Sequence, residues 1–428
     1  MKEGWQTERL KDLGKVQTGT TPPTADKSNY GDFIPFVKPP HFNIDGTITS
    51  NGSGLSESGL SKGRLIDTNS ILMVCIGATI GKTGFVEKPV ACNQQINTLT
   101  PKEGLHTKFF YYLLSSDLFF RKVIAGSSQA TLPMINKSKW QAIEVSYPKS
   151  LPEQERIVAK LDTAFAAIDQ AKANTERNLQ NAKELFQSKL NEVFSQQLTA
   201  GSTSSPTVPA PAVPEPVEGV EGMGDGWVEK KLNELISIKH GFAFKSEFFQ
   251  PNGEHVLLTP GNYFEDGGYR DRGEKQKYYV GEIPEGFILQ EGDLLVAMTE
   301  QAPGLLGSPL LVPEQGKFLH NQRLGLVTIN EGVELSNEFL FHLFNTKHFR
   351  DEVFDSGTGL KVRHTSPTKI GDITVCINFN SEVQQNVVQL LNGLKERVQE
   401  LQTNYTQKLT ELEDLKKSLL ERAFKGEI

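Results

Sequence analysis

Trp5–Gly19, WQTERLKDLGKVQTG, is written a second time as WVEKKLNELISIKHG at Trp227–Gly241. Both stretches read W-x4-L-x2-L and close on glycine, so one folding unit has been laid down twice. Other segments return in the same order. SILMVCIGATIGKTG (70–84) returns as DLLVAMTEQAPGLLG (293–307), NQQINTLT (93–100) as NQRLGLVT (321–328), and KFFYYLLSSDLF (108–119) as EFLFHLFNTKHF (338–349). The offset begins at 222 and settles at 230, the drift that loops of unequal length produce.

Each copy has two parts. The first is a globular unit of short β-type runs bounded by Gly, Pro and Asn, with one amphipathic helix expected around 107–124 and again around 337–354. The second is a long helix with a near-heptad apolar stripe. In copy one the seam runs through Ile157, Leu161, Ile168, Leu179 and Leu185. In copy two it runs through Val387, Leu391, Leu394, Val398, Leu401, Leu409 and Leu412. No proline interrupts 153–199 or 379–428. At 1.5 Å per residue each helix makes a rod of roughly 65–70 Å. The first seam is weak in Ala and Thr, and pairing the two helices with each other remedies that.

The expected class is therefore α+β: two similar mixed α/β domains in tandem, separated by two long helices that pair as a coiled coil. The division is 1–150, globular; 151–199, helix; 200–226, a Pro- and Ser-rich extended linker; 227–378, globular; and 379–428, helix.

Bulk properties narrow the classes. A chain of 428 residues exceeds one ordinary core. No apolar run approaches the ~20 residues of a membrane helix, so no membrane association is expected. The polar N-terminus lacks a signal-like core, which predicts a cytoplasmic protein. Cys75, Cys92 and Cys376 show no CxxC spacing and read as buried free thiols. No HxxxH or HExxH pair points to a metal site. The net charge of −7 argues against nonspecific coating of nucleic acid. Its distribution is uneven: residues 1–150 carry 17 Lys+Arg against 12 Asp+Glu, and residues 227–378 carry 15 against 21.

GATIGKTG (77–84) has the look of a phosphate-binding loop one residue short. The repeat argues against it. With Gly81 laid on Gly304 and Gly84 on Gly307, Lys82 falls on Leu305 and Thr83 on Leu306. The glycines survive and the phosphate-contacting residues do not. The following FVEKPV reads as a strand, not as the helix whose N-terminus must face phosphates. A tight turn between two strands is the expectation. VKPPHF (37–42) echoes an amino-methyltransferase motif, but Lys38 stands where a hydrogen-bond acceptor is needed. No catalytic constellation recurs in both copies.

Tandem globular units, each followed by a long helix, resemble the specificity subunits of type I restriction–modification enzymes. The W-x4-L-x2-L opening, the apolar strand leading to Gly81-Lys82, and the following NQ carry the resemblance. So do FFYYLL (109–114), GSSQATLPMINKSKWQAIEV (126–145) running into LPEQERIVAKLD (151–162), and the closing LLERAFKGEI (419–428). Copy two departs from the pattern, with GLKVRHTSPTKIGDITV (359–375) and NSEVQQNVVQLLN (380–392). The resemblance implies two target-recognition domains, each reading one half of a bipartite asymmetric site on double-stranded DNA. It implies that the helices pair antiparallel as a spacer and dock two modification subunits, with restriction/motor subunits joining for cleavage. The chain itself would be non-catalytic and without a cofactor, S-adenosylmethionine, ATP and Mg belonging to the partners. The alternative is a coiled-coil scaffold whose globular domains bind protein.

Residues that differ between copies while flanked by matched positions are the DNA-reading candidates, because the fold does not dictate them. In copy one these are Lys38, His41, Lys82, Gln94, Gln95, Ser127, Ser128, Gln129 and Thr131. In copy two they are Lys245, Arg270, Arg272, Arg323, Lys361, Arg363 and His364. Arg suits guanine and Gln suits adenine in the major groove, while Lys meets phosphate.

Overall fold

The computed structural model describes residues 3–43, 45–128, 132–195, 226–301, 303–359 and 361–428. Gln129, Thr131 and the linker up to 225 lie outside the described residues. The chain forms two compact units, residues 1–177 with 405–428, and residues 178–404. Each unit takes one globular part and a share of both long helices.

The opening repeat builds the same corner in both units. Trp5–Arg9 pairs antiparallel with Glu144–Pro148, and Trp227–Lys231 with Thr374–Asn378. The L-x2-L pair then makes one helical turn, Leu10–Leu13 or Leu232–Leu235, with both leucines buried. A four-stranded antiparallel sheet follows. In the first unit its order is Gly14–Thr18, Ile96–Pro101, Ser70–Val74, Thr83–Val86. In the second it is Ile236–His240, Leu324–Ile329, Leu294–Ala297, Pro309–Leu311.

The central strand explains the unbroken apolar run SILMV. Ile71 and Met73 face one core while Leu72 and Val74 face another, so both faces of the strand are covered. Leu294 and Val296 divide from Leu295 and Ala297 in the same way. A second small sheet in each unit holds one parallel pair. That pair is Phe36–Val37 beside Ala91–Cys92 in the first unit, and Val256–Leu257 beside Phe318–Leu319 in the second.

The single helix expected over 107–124 is two helices, Thr107–Leu114 and Asp117–Gly126. The expected 337–354 is likewise Asn337–Leu343 and Lys347–Ser356. The break is a cap. The hydroxyls of Ser116 and Thr346 accept the N–H of Phe119 and Phe349 at 3.3 Å, starting a new helix while the apolar spacing continues.

The long helices span Leu151–Ser195 and Ser381–Lys425. Within the first unit they run antiparallel: Lys172 pairs with Glu413 at 3.0 Å, Lys416 with Asp169 at 3.3 Å, and Arg156 donates to the Ile428 carbonyl at 2.8 Å. Ile157, Leu161 and Ile168 are buried there, with Leu409 and Leu412 half-buried. In the second unit Leu190 and Phe194 share a core with Val387 and Leu391; Val398 is buried, and Leu179 and Leu394 are half-buried. Leu185 and Leu401 depart from the expected seam, at 51% and 41% exposed. Leu185 stands four heptads beyond Ile157, and a strict heptad drifts ~20° per repeat around a straight helix, so the stripe has turned by about 80°.

Each globular layer is fastened to a long helix at the same place. Tyr112 donates to Asp162 at 2.5 Å, and Lys108 pairs with the same carboxylate at 2.7 Å. The matching second-unit residues, 230 further on, are His342 and Asn392, joined at 2.9 Å.

Candidate nucleic-acid interface

Three loops meet at one end of the sheets in each unit, and backbone hydrogen bonds stitch them in a row. In the first unit the Asn93–Ile96 turn offers the Gln95 carbonyl to the N–H of Cys75 at 2.8 Å. The Cys75 carbonyl accepts from Ile135 at 3.0 Å, at the end of the loop that follows Gly126. In the second unit the Arg323 carbonyl accepts from Met298, and the Met298 carbonyl from Thr365, both at 3.0 Å. The Asn of each NQ pair shapes its turn. Asn93 Oδ1 accepts the Gln95 N–H at 3.2 Å and Asn321 Oδ1 accepts the Arg323 N–H at 3.0 Å; the Arg323 side chain is exposed, whereas Gln95 Oε1 accepts from Asn93 Nδ2 at 2.9 Å. A fourth element joins the row, because the Asn93 N–H donates to Val37, just before Lys38.

The middle loop settles the question of GATIGKTG. Ser70–Val74 and Thr83–Val86 are antiparallel neighbours, so a strand follows the loop and no helix N-terminus faces it. Gly81 holds φ +89°, and a Cβ there would lie 2.4 Å from the Phe120 ring. Its partner in copy two is Gly307 (φ +80°), not Gly304. The Gly81 N–H donates to Val74 and the Gly307 N–H to Ala297, at equivalent strand ends. The second loop is three residues longer, which a gap-free overlay of this segment misplaces. Lys82 therefore corresponds to the buried Ser308, not to Leu305. Both reach towards one spot: Lys82 Nζ lies 3.5 Å from the Phe42 carbonyl, and Ser308 Oγ donates to the Phe264 carbonyl at 2.7 Å.

The structure brings the described copy-one candidates to this end. Lys82 and Gln94 are exposed, and Gln94 accepts from the Thr21 hydroxyl. Gln95 and Lys38 are half-buried, Lys38 lying over the Phe36 ring at 5.5 Å. Ser127 closes its helix by donating to Ile124 at 2.8 Å, and the Ser128 N–H donates to Met134 at 2.9 Å. His41 is buried and serves the turn. Its Nδ1 accepts the Lys38 N–H at 3.2 Å, and burial, then Lys38, lower its pKa and keep it the neutral acceptor this bond needs. Asn262 does the same work in copy two, accepting the Thr259 N–H at 3.0 Å.

The copy-two candidates divide by what already holds them. Arg323, Arg270, Lys361 and His364 have exposed side chains, and Lys245 stands 4.0 Å from Glu247. Arg272 is half-buried against Gly261. Arg363 is committed within the protein. Its guanidinium stacks on the Phe354 ring at 3.8 Å, donates to the Phe354 carbonyl at 2.5 Å, and lies 4.0 Å from Glu300.

Glu300 is a residue that sequence reading missed. It is buried, and one carboxylate oxygen accepts the N–H groups of Leu305 at 3.0 Å and Leu306 at 2.9 Å, folding the longer loop around itself. Arg350 was missed too. It donates to the carbonyls of Glu265, at 2.9 Å, and Gly304, and burial pushes its pKa down to about 10. Arg350 stands where copy one has Phe120, beside the matched Phe119 and Phe349, a difference that comparing the copies could have flagged, whereas Glu300 lies in the segment where the two loops differ in length. Cys75 and Cys92 are buried free thiols whose pKa burial raises to about 12, so neither is poised as a nucleophile. Among the described residues no helix is long and apolar enough to cross a membrane.

Residues 2–179 match the family described as the type I restriction modification DNA specificity domain. The type I restriction enzyme HindI specificity subunit of Haemophilus influenzae is 34% identical over 149 residues, 34% of this chain and 32% of that protein. The MjaIX specificity subunit of Methanocaldococcus jannaschii is 29% identical over 187 residues, 42% of this chain and 43% of that one. The chain thus spans between about a third and less than half the length of these relatives. A solved structure, from work on complex assembly and conformational transition of the type I R-M system, superposes with a TM-score of 0.74 at 16% identity. It covers 100% of this chain and 99% of that one, which shows a shared fold. Residues 2–179 thus match a type I restriction modification DNA specificity domain, and the chain as a whole shares the fold of a type I R-M structure.

Proposed function

We propose that this chain is the sequence-specific DNA recognition subunit of a type I restriction–modification complex. Each globular unit reads one half of a bipartite asymmetric site, and the long helices set the gap and dock two modification subunits. The chain is non-catalytic. Methylation and cleavage, with S-adenosylmethionine, ATP and Mg, belong to the modification and restriction/motor subunits, and the assembly works in the cytoplasm.

One observation carries this reading: the same three-loop row is built twice, residue for residue in its backbone bonds, while its outward side chains differ. A constant frame with variable tips suits two unlike half-sites. Lys38 and Lys82 contact phosphate, while Gln94, Gln95 and Arg323 meet base edges, each good bidentate pair supplying ~1–3 kcal/mol of discrimination. Co-expression with a modification subunit, followed by single-molecule sequencing of host DNA, tests it. A bipartite motif methylated in both halves, absent without this chain, is the expected result. An assembled complex that adds no methylation refutes it.

A further inference from the structure

The first unit carries a continuous apolar rim at its row of loops. Phe120, Ile124, Leu132 and Met134 are between 40% and 62% exposed. They surround one loop. Phe120 packs on Gly81, and Ile124 lies one helical turn further along the same face. Met134 bridges to Ile76, and Pro133, beside Leu132, accepts the Gly77 N–H at 3.0 Å. The exposed cations Lys82 and Arg121 flank the patch, each next to one of its contacts.

In the second unit the positions 230 further on are Arg350, Phe354, Val362 and His364, so a cation and a histidine replace two of the four apolar side chains. There Arg350 is tied to two carbonyls, and Arg363 stacks on one face of Phe354, whose ring stays 43% exposed.

The rim belongs to the three-loop row, so this inference rests on the DNA reading above. A duplex offers few apolar groups to such a surface. In the major groove the thymine C5-methyl is the apolar feature, and cations beside the patch suit the phosphates that flank it. We infer that the first unit reads thymine in its half-site through the methyl group, with Leu132 and Met134 as the contacting residues and Phe120 and Ile124 as their apolar floor. The second unit, with Arg350 and His364 at the positions of Phe120 and Met134, reads by polar contact.

Deoxyuridine in place of thymine removes that methyl and leaves the base-pairing edge intact. The test measures binding of the full chain, assembled with a modification subunit, to duplexes carrying its mapped motif. Uridine is placed in one half-site at a time. Burial of one methyl is worth about a fourfold change in affinity, so one half-site is expected to lose about fourfold per methyl and the other nothing. Leu132→Ala and Met134→Ala, both at exposed positions that leave the core untouched, should bind thymine and uridine duplexes alike. Equal binding of both duplexes by the unaltered chain, or variants that keep the penalty, overturns the inference and leaves DNA recognition standing. So does affinity lost by the variants on both duplexes alike, which marks a wedge between base pairs. Failure to bind any duplex overturns both readings together.

Discussion

Replacing Glu300 with alanine removes the group around which the second unit's longer loop is folded. The carboxylate accepts the N–H of Leu305 at 3.0 Å and of Leu306 at 2.9 Å, and Arg363 stands 4.0 Å away. Hydrogen bonds to a charged acceptor contribute ~1.5–3 kcal/mol each, so the pair is worth roughly 3–6 kcal/mol. Leu305 is half-buried, and water can satisfy part of what its amide loses. The expected cost of Glu300→Ala is therefore about 3 kcal/mol, at the low end of that range. The ion pair adds little, because Arg363 remains 30% exposed and keeps its place on Phe354. Glu300→Gln should cost only about 1 kcal/mol, because a single oxygen already takes both amides and the amide carbonyl retains that role. Urea unfolding followed by hydrogen exchange on second-unit peptides separates this unit from the first. An alanine variant within ~0.5 kcal/mol of the unaltered chain, the scatter of ordinary surface changes, would refute the reasoning. So would a glutamine variant as costly as alanine, which would place the stabilisation in the charge and not in the two amides.

His320 and His342 are buried in the second unit, and burial depresses both pKa values to about 4. The unfolded chain takes up these protons near pH 6.5 and the folded chain does not. The second unit should therefore lose stability as pH falls from ~6.5 towards ~4, by about 3 kcal/mol per histidine when complete. His342→Gln should flatten that slope in pH-dependent thermal unfolding, and an unchanged slope would contradict the assignment. On the long helices, Leu391→Ala should cost ~2–5 kcal/mol because its side chain is fully buried. Leu401→Ala, at a largely exposed position, should cost under ~1 kcal/mol. Equal losses in urea unfolding would show that the heptad stripe alone, without drift, sets the seam.

The duplicated frame was legible because its signals are local and strong. W-x4-L-x2-L fixes a strand and a helical turn, SILMV marks a strand covered on both faces, and 45 residues without an internal break declare each long helix. What was not legible depends on single atoms or on insertions. The hydroxyls of Ser116 and Thr346 divide a helix without disturbing its apolar period. Three extra residues after Ala297 moved the glycine correspondence from Gly304 to Gly307. Among the site residues, difference between copies located the rim but did not separate projecting side chains from those the protein keeps for itself. Arg323 projects, whereas Arg363 is engaged by Phe354 and Glu300, and His41 holds its own turn. No pattern within one sequence encodes that distinction, because the partners come from distant loops.

The central claim is that each unit reads its own half-site. The most direct measurement maps the methylated motif for the unaltered chain and for a chain carrying Arg323→Ala, each co-expressed with the modification subunit. The account predicts that one half of the motif becomes degenerate at a single base pair, while the other half and the gap stay as they were. Both halves changing together, or an unchanged motif methylated at full rate, would contradict it.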